Sequence, residues 1–314
     1  MPVRHFALAL CLLSGKAAAG PEEFNGRWVI QAQNDARRVF WLEVTGAGGA
    51  SPQGWFFGAT GGRLAQLLHA TIERGELRFE VQRDFGSPQA PRVVRAVTTA
   101  RLSGKGLRGV TTSQGVELKW TGWKAPDIAD RDDGSWHEGT PVSLFDGKSL
   151  SRWKAFHPER LNQWSVRDGV LRNSKGADYV ASNQTFWNFK LRLEYRVPQD
   201  SNSGIGLRGR YELQILGDYG QPPDIHGNGA IYSRLRPAVN ATKPAGEWQT
   251  LEAVLIGREV TVVLNGVKII DRKMIEGLCG MASDPYEDRS GPITLQGDHG
   301  PIEFRAITVT PLIR

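Results

Sequence analysis

Apolar and polar residues alternate with a period of two along most of this chain. From Phe189 to Val197, five apolar side chains fall on one face and Lys190, Arg192, Glu194 and Arg196 on the other. Such alternation predicts a strand buried on one side. Ala306 to Leu312 repeats the pattern, and Leu251–Leu255 and Val260–Leu264 are aliphatic or β-branched runs. The second run ends in Asn265-Gly266 and resumes as Val267–Ile270, which predicts a tight hairpin. Phe24–Ile30, Phe40–Val44, Glu76–Val81, Val93–Leu102 and Val116–Trp120 predict further strands upstream. Helical periodicity is nearly absent, with Leu64–Ile72 as the one weak candidate. The chain therefore reads as all-β, a sandwich or barrel punctuated by 37 glycines and 17 prolines.

The strands fall into two groups. Residues 126–140 are acidic, polar and poor in apolar side chains, and read as a linker. Residues 20–125 before it predict a small β-barrel or β-sandwich accessory domain, independent of the larger unit. Its only histidine is His69, and no catalytic constellation is evident there. Residues 141–314 form the larger unit.

The first nineteen residues carry Arg4, an apolar run from Phe6 to Leu13, and Ala17-Ala18-Ala19, the order of a secretory signal peptide. Cleavage after Ala19 places the protein in a secreted or periplasmic setting. No later run is apolar enough to predict a membrane span. Removing that segment takes the formal charge from +6 to +4, because Arg4 and Lys16 leave with it. The remaining excess is spread along the chain, so no nucleic-acid partner is expected. Cys279 is then the sole cysteine, which excludes an internal disulfide and reads as a small buried hydrophobe.

Candidate chemistry gathers in the larger unit. Asn202–Gln214 reads as one alternating strand whose polar side is Arg208, Arg210, Glu212 and Gln214. Gly291–Gly300 puts Thr294 and Gln296 on one strand face, just before Asp298-His299 between glycines. Side chains of these types on one sheet face suit sugar hydroxyls, and Tyr211, Tyr219, Tyr232, Trp153 and Trp248 could stack on a sugar ring. Glu212 is either a general base or acid, or the partner of Arg208 or Arg210. His299 is either catalytic or a brace for its turn. His226 lies in a Gly/Pro loop at 222–229 that could cap a groove. No cofactor is certain. A divalent metal stays open, held by His226 with Asp218, Asp224 and Asp298, or as calcium by Asp284, Glu287 and Asp288. An ordinary retaining glycosidase is disfavoured, because Leu216 stands four residues after Glu212 where a second carboxylate would be wanted.

An ordered set of short motifs resembles a known family. The set comprises Ser143–Leu150 with Trp153, Trp164–Leu171, Asn202–Gln214, Gly229–Tyr232, Lys243–Thr250, Val263–Val267, Leu295–Gly300 and Phe304–Ile307. It resembles the 3-keto-disaccharide hydrolase family, or 3-keto-glucoside 1,2-lyase/hydratase, over roughly 140–313. The resemblance implies a concanavalin A-like jelly-roll sandwich. It also implies a 3-keto sugar or oligosaccharide substrate supplied by an upstream sugar 3-dehydrogenase. The implied reaction is removal of the C2 proton, elimination of the C1 glycosidic oxygen and hydration of the resulting 3-keto-2-hydroxy-glucal. Chemistry then suggests Glu212 or His299 as base, Tyr232 or Asp298 as acid, and Arg208, Gln214 and Gln296 as donors to the enolate or the hydroxyls. Arg210, Lys243, Trp153 and His226 complete the expected substrate contacts. This chain reads Gln296-Gly297-Asp298-His299-Gly300 where family members often read Gln-Asp-His-Gly, a loop one residue longer. A non-catalytic carbohydrate-binding module is the alternative function.

Overall fold

A nine-stranded antiparallel sheet opens the fold in this computed structural model, which describes residues 20–58, 62–87, 90–160, 163–174 and 176–314. The signal-peptide expectation falls on residues 1–19, outside those described. The first strand of the sheet, Gly26–Ala32, pairs with the last, Val116–Lys124. Its two edges, Leu64–Gln66 and Leu68–Glu73, are separated in the chain by Leu67 alone, so the sheet curls into a barrel. Trp28, Ile30, Leu42, Phe56, Phe79 and Trp120 fill the interior. The helix expected at Leu64–Ile72 is instead these two edge strands, with His69 on the second. Periodicity alone does not separate a short apolar run of this kind from a helix, and closing the barrel decides it.

The larger unit is a two-sheet jelly-roll sandwich of the concanavalin A-like kind. One sheet orders Trp164–Arg167, Val170–Asn173, Glu303–Ile313, Phe189–Arg196, Gln249–Ile256, Glu259–Leu264 and Val267–Met274. The other orders Trp153–Ala155, Val180–Phe186, Gly291–Leu295, Asn202–Leu207 and Tyr211–Leu216. Leu191, Leu193, Ile205, Leu213, Ile293 and Phe304 pack between them at zero exposure. Phe189–Arg196 buries every second residue, as its alternation requires. Asn265 and Gly266 turn the expected hairpin with φ of 51° and 81°, the left-handed backbone that an Asn-Gly pair tolerates.

Two expectations change here. The segment 126–140 is not a solvated linker but a strap docked on the sandwich. Ile128 is buried, and Asp130 Oδ2 accepts from Trp187 Nε1 and Asn188 Nδ2, each at 2.8 Å. Asp130 looked solvated in the sequence because its partners lie some sixty residues away. The barrel is also not independent. Val29, Trp41 and Phe57 stand in register on neighbouring strands and join the hydrophobic cluster of the sandwich. The strand Val39–Thr45 is therefore apolar on both faces, one for each core.

Candidate functional site

The pocket that gathers polar chemistry lies on the five-stranded sheet and starts from a hairpin. Asn202–Leu207 and Tyr211–Leu216 pair with Gly204 opposite Gln214 and Gly206 opposite Glu212. Gly206 also pairs with Thr294 on the next strand, and Gln296 donates its N–H to Gly204 O at 2.9 Å. Glycine keeps both central positions clear of their neighbours' side chains. A Cβ on Gly206 would lie 2.1 Å from Thr294 Oγ1, and one on Gly204 would lie 2.9 Å from Glu212 Oε1. The two glycines thus clear a floor between the polar side chains of the outer strands.

This hairpin corrects the reading of Asn202–Gln214 as one strand. Arg208, Gly209 and Arg210 form its turn, with φ of 54° at Arg208 and 63° at Gly209. The turn takes both arginines away from Glu212 and Gln214. Arg208 is fully buried, donates to Gly257 O and lies 4.0 Å from the centroid of the Trp187 ring. Burial pushes its pKa down to about 10. Arg210 Nε bonds Asp284 Oδ1 at 2.7 Å and its Nη1 bonds Arg289 O at 2.7 Å. Neither lines the pocket described below.

Three further expected contacts are also placed elsewhere. Trp153 is core and donates to Leu144 O at 2.8 Å. Lys243 Nζ reaches Trp248 O at 3.1 Å and braces its own loop. His226 stands behind Tyr232, with ring centroids 4.7 Å apart and Nε2 at 2.8 Å from Ser233 Oγ. Of the aromatic candidates only Tyr232 lines the pocket. Tyr211 is core, Tyr219 is exposed, and Trp248 is stacked between Arg196 and Arg305.

The pocket of about 230 Å³ is lined by Gly62, Tyr179, Asn202, Glu212, Gln214, Tyr232, Gly280, Gln296 and His299. Glu212 is 4% exposed, and no described group donates a hydrogen bond to its carboxyl. Burial pushes its pKa up to about 8; the Asp298 charge adds to this and His299 opposes it. Gln214 Nε2 bonds Asn202 Oδ1 at 3.3 Å, and Gln296 Nε2 bonds the Tyr179 hydroxyl at 2.9 Å. Each amide therefore has a fixed nitrogen and a buried Oε1 without a partner, as does the Thr294 hydroxyl. Unsatisfied buried acceptors are costly, and a polyhydroxylated ligand is one way to satisfy them.

His299 Nδ1 lies 2.6 Å from Asp298 Oδ1, so the adjacent carboxylate does orient the imidazole, and that bond raises the His299 pKa. Such a bond leaves Nε2 as the working nitrogen. The loop is pinned by Asn173, whose Nδ2 bonds Gly297 O at 3.0 Å and Gly300 O at 3.1 Å. A Cβ on the extra residue Gly297 would lie 2.5 Å from Asp178 O, so the longer loop needs glycine there.

The acids considered for a metal do not converge. Asp218 accepts from Asn228 N and Thr242 Oγ1, Asp284 holds Arg210, and Glu287 holds Arg258 and Tyr211. Among the described residues no three His, Cys, Asp or Glu side chains are grouped to hold an ion. The expected metal ligands therefore do not fit one site.

Tyr179 and Gly280 were not singled out in the sequence. Tyr179 is followed by the strand Val180–Phe186 and carries no motif of its own. Gly280 comes from a loop whose only signal was the cysteine beside it.

Residues 140–310, more than half of the chain, match the family described as the 3-keto-alpha-glucoside-1,2-lyase-like domain. A 3-keto-disaccharide hydrolase of Bacteroides thetaiotaomicron is 28% identical over 144 residues, covering 34% of this chain and 49% of that protein. A ribonuclease PH of Methylobacterium nodulans is 31% identical over 118 residues, 38% of this chain and 45% of that protein. The chain thus spans about half the length of the curated relatives it matches. A solved protein of Parabacteroides distasonis, provisionally named a glycosyl hydrolase, is 29% identical with a TM-score of 0.47, covering 59% of this chain and 91% of that one.

Proposed function

Because this chain belongs to the 3-keto-alpha-glucoside-1,2-lyase-like family, we propose that it cleaves 3-keto-glucosides by elimination and hydration. The observation that carries this reading is Glu212: a carboxyl buried in a sugar-sized pocket, without a hydrogen-bond donor, and with its pKa raised to about 8. Such a group is a stronger base than a solvated carboxylate, and it is poised near neutral pH.

A ketone at C3 acidifies the C2 proton. Glu212 takes that proton, and the electron pair forms the enolate with its charge on O3. Donors to O3 come from the hydroxyls of Tyr179 and Tyr232, which line the same pocket. The enolate then re-forms the C3 ketone and the C1=C2 bond, and the C1–O bond breaks. His299, whose pKa is raised by the hydrogen bond to Asp298, gives its Nε2 proton to the leaving oxygen. Water then adds across C1=C2, with hydroxyl to C1 and a proton to C2. Gln214 and Gln296 accept from sugar hydroxyls through their free oxygens. The substrate would come from an oxidation at C3 by a sugar dehydrogenase, and the signal-peptide-like pattern of the first nineteen residues supports an encounter outside the cytoplasm.

A paired-carboxylate mechanism has less support, since Glu212 is the one carboxylic acid among the described residues that line the pocket. The test is incubation of the purified protein with a 3-keto-aryl-glucoside in D₂O. Aglycone release with deuterium at C2, abolished by Glu212→Gln, is expected. Absence of release, with or without added divalent metal, overturns the reading. Sugar binding that survives Glu212→Gln and His299→Ala without turnover would make the protein a binding module instead.

A further inference from the structure

We infer that the N-terminal barrel is a working part of this site: its Trp41, acting through Arg234 and Gly277, holds the Gly280 turn against the Glu212 carboxyl and keeps water from it. The mechanistic consequence rests on Glu212 being the base.

Four consecutive residues carry the connection. Gly277 has φ of 143°, and a Cβ there would lie 2.3 Å from Trp41 Nε1. Only glycine lets the chain pass this close to the indole. The carbonyl of Leu278 accepts from Arg234 Nε at 3.1 Å and Nη2 at 2.6 Å. That guanidinium lies 4.3 Å from the Trp41 ring centroid and 5.5 Å from that of Phe57. A planar cation stacked on a barrel indole thus points its donors at the turn. Cys279 Sγ takes the Glu212 N–H at 2.9 Å, and Cys279 N donates to Arg210 O at 3.2 Å. A Cβ on Gly280 would lie 1.7 Å from Glu212 Oε2 and 3.3 Å from the Tyr232 ring. The concave face of a sandwich is ordinarily open to solvent. Here the turn covers it, and the barrel holds the turn. The barrel's Gly62 also lines the pocket.

The turn brings burial to Glu212 but no charge. The titratable groups around the carboxyl are Asp298 and His299 from the loop after Leu295, Tyr179, Tyr232, and Cys279, whose thiol is pushed up to about 12 and stays neutral. Loosening the turn through Gly277→Ala or Trp41→Ala therefore admits water and leaves the local charges in place. Arg234→Met also removes the cation beside Cys279, which by itself would raise the Glu212 midpoint, so a fall in that variant reports water.

The test titrates Glu212 directly in the full-length protein, by carbon-13 carboxyl NMR with the signal assigned through its loss in Glu212→Gln. Gly277→Ala, Arg234→Met and Trp41→Ala should each lower the midpoint by about one unit or more toward the ordinary glutamate range. Trp41→Phe should restore most of the wild-type value. The acid limb of the pH–rate profile should move down by the same amount. An unchanged midpoint in folded Gly277→Ala and Arg234→Met overturns the inference, and these two decide it should Trp41→Ala fail to fold. The titration needs no substrate. A wild-type protein that does not cleave 3-keto-glucosides would therefore defeat the functional reading and leave this coupling to be judged on its own readout.

Discussion

Two glutamates in the sandwich are buried to nearly the same degree and are treated in opposite ways. Glu287 is fully buried, with Oε2 at 3.1 Å from Arg258 Nη2 and Oε1 at 3.0 Å from the Tyr211 hydroxyl. Glu212 is 4% exposed and receives no hydrogen bond at its carboxyl from the described residues. A buried charge is tolerated when it is paired and strongly destabilised when it is not. The first arrangement fixes structure beneath the strap at 126–130. The second leaves the cost of burial on the group itself, where it appears as a pKa of about 8. The contrast separates a paired carboxyl from an unpaired one.

The comparison breaks most visibly if the two residues are exchanged in role. Glu212→Gln should lower turnover of a 3-keto-glucoside by about 10²–10⁴-fold, the usual worth of a general base, while the melting transition stays close to wild type. Turnover within threefold of wild type would remove Glu212 from the reaction. Glu287→Ala should do the reverse. Leaving Arg258 unpaired in the interior costs about 3–5 kcal/mol, read as a fall in the denaturant midpoint, with kcat per folded molecule little changed.

A smaller effect sharpens the account of the floor. Gln296→Leu removes a free acceptor and a partner of Tyr179, and a lost hydrogen bond of this kind costs about 1–3 kcal/mol. It should raise KM and lower kcat/KM by roughly tenfold or more. Arg208→Met should leave the pH–rate profile where it is, because that arginine faces Trp187 and Gly257. A shifted profile would return Arg208 to the reaction.

The subtlest expectation concerns stability against pH. The folded-state pKa of Glu212 is raised from 4.5 to about 8. Between those values the folded protein keeps a proton that the unfolded chain has released, so stability falls as pH rises through the window. Thermal melts should show this slope in wild type and a flatter one in Glu212→Gln. Parallel slopes would mean that the carboxyl is more solvated than its burial indicates.

The sequence by itself determined the all-β class, most strand positions and the hairpin at Asn265-Gly266, because these follow from period-two alternation and from turn chemistry. It also brought Glu212, Gln214, Gln296, Asp298 and His299 together as candidates, since polar residues repeated on one strand face are a local signal. Tertiary structure alone decided that Arg208 and Arg210 leave that face. Their place in a turn depends on where the chain reverses to pair Gly206 with Glu212, and alternation reads straight through such a reversal. It alone brought Tyr179 and Gly280 into the pocket, from loops without periodicity. It alone docked the strap at 126–130 and joined the barrel to the sandwich. Val39–Leu42 did carry a trace of that union in its unbroken apolar run, but which surface covers the outer face is a contact between residues more than two hundred positions apart. Packing of that range leaves no pattern in the local sequence, and it is what places a turn held by Trp41 over the carboxyl of Glu212.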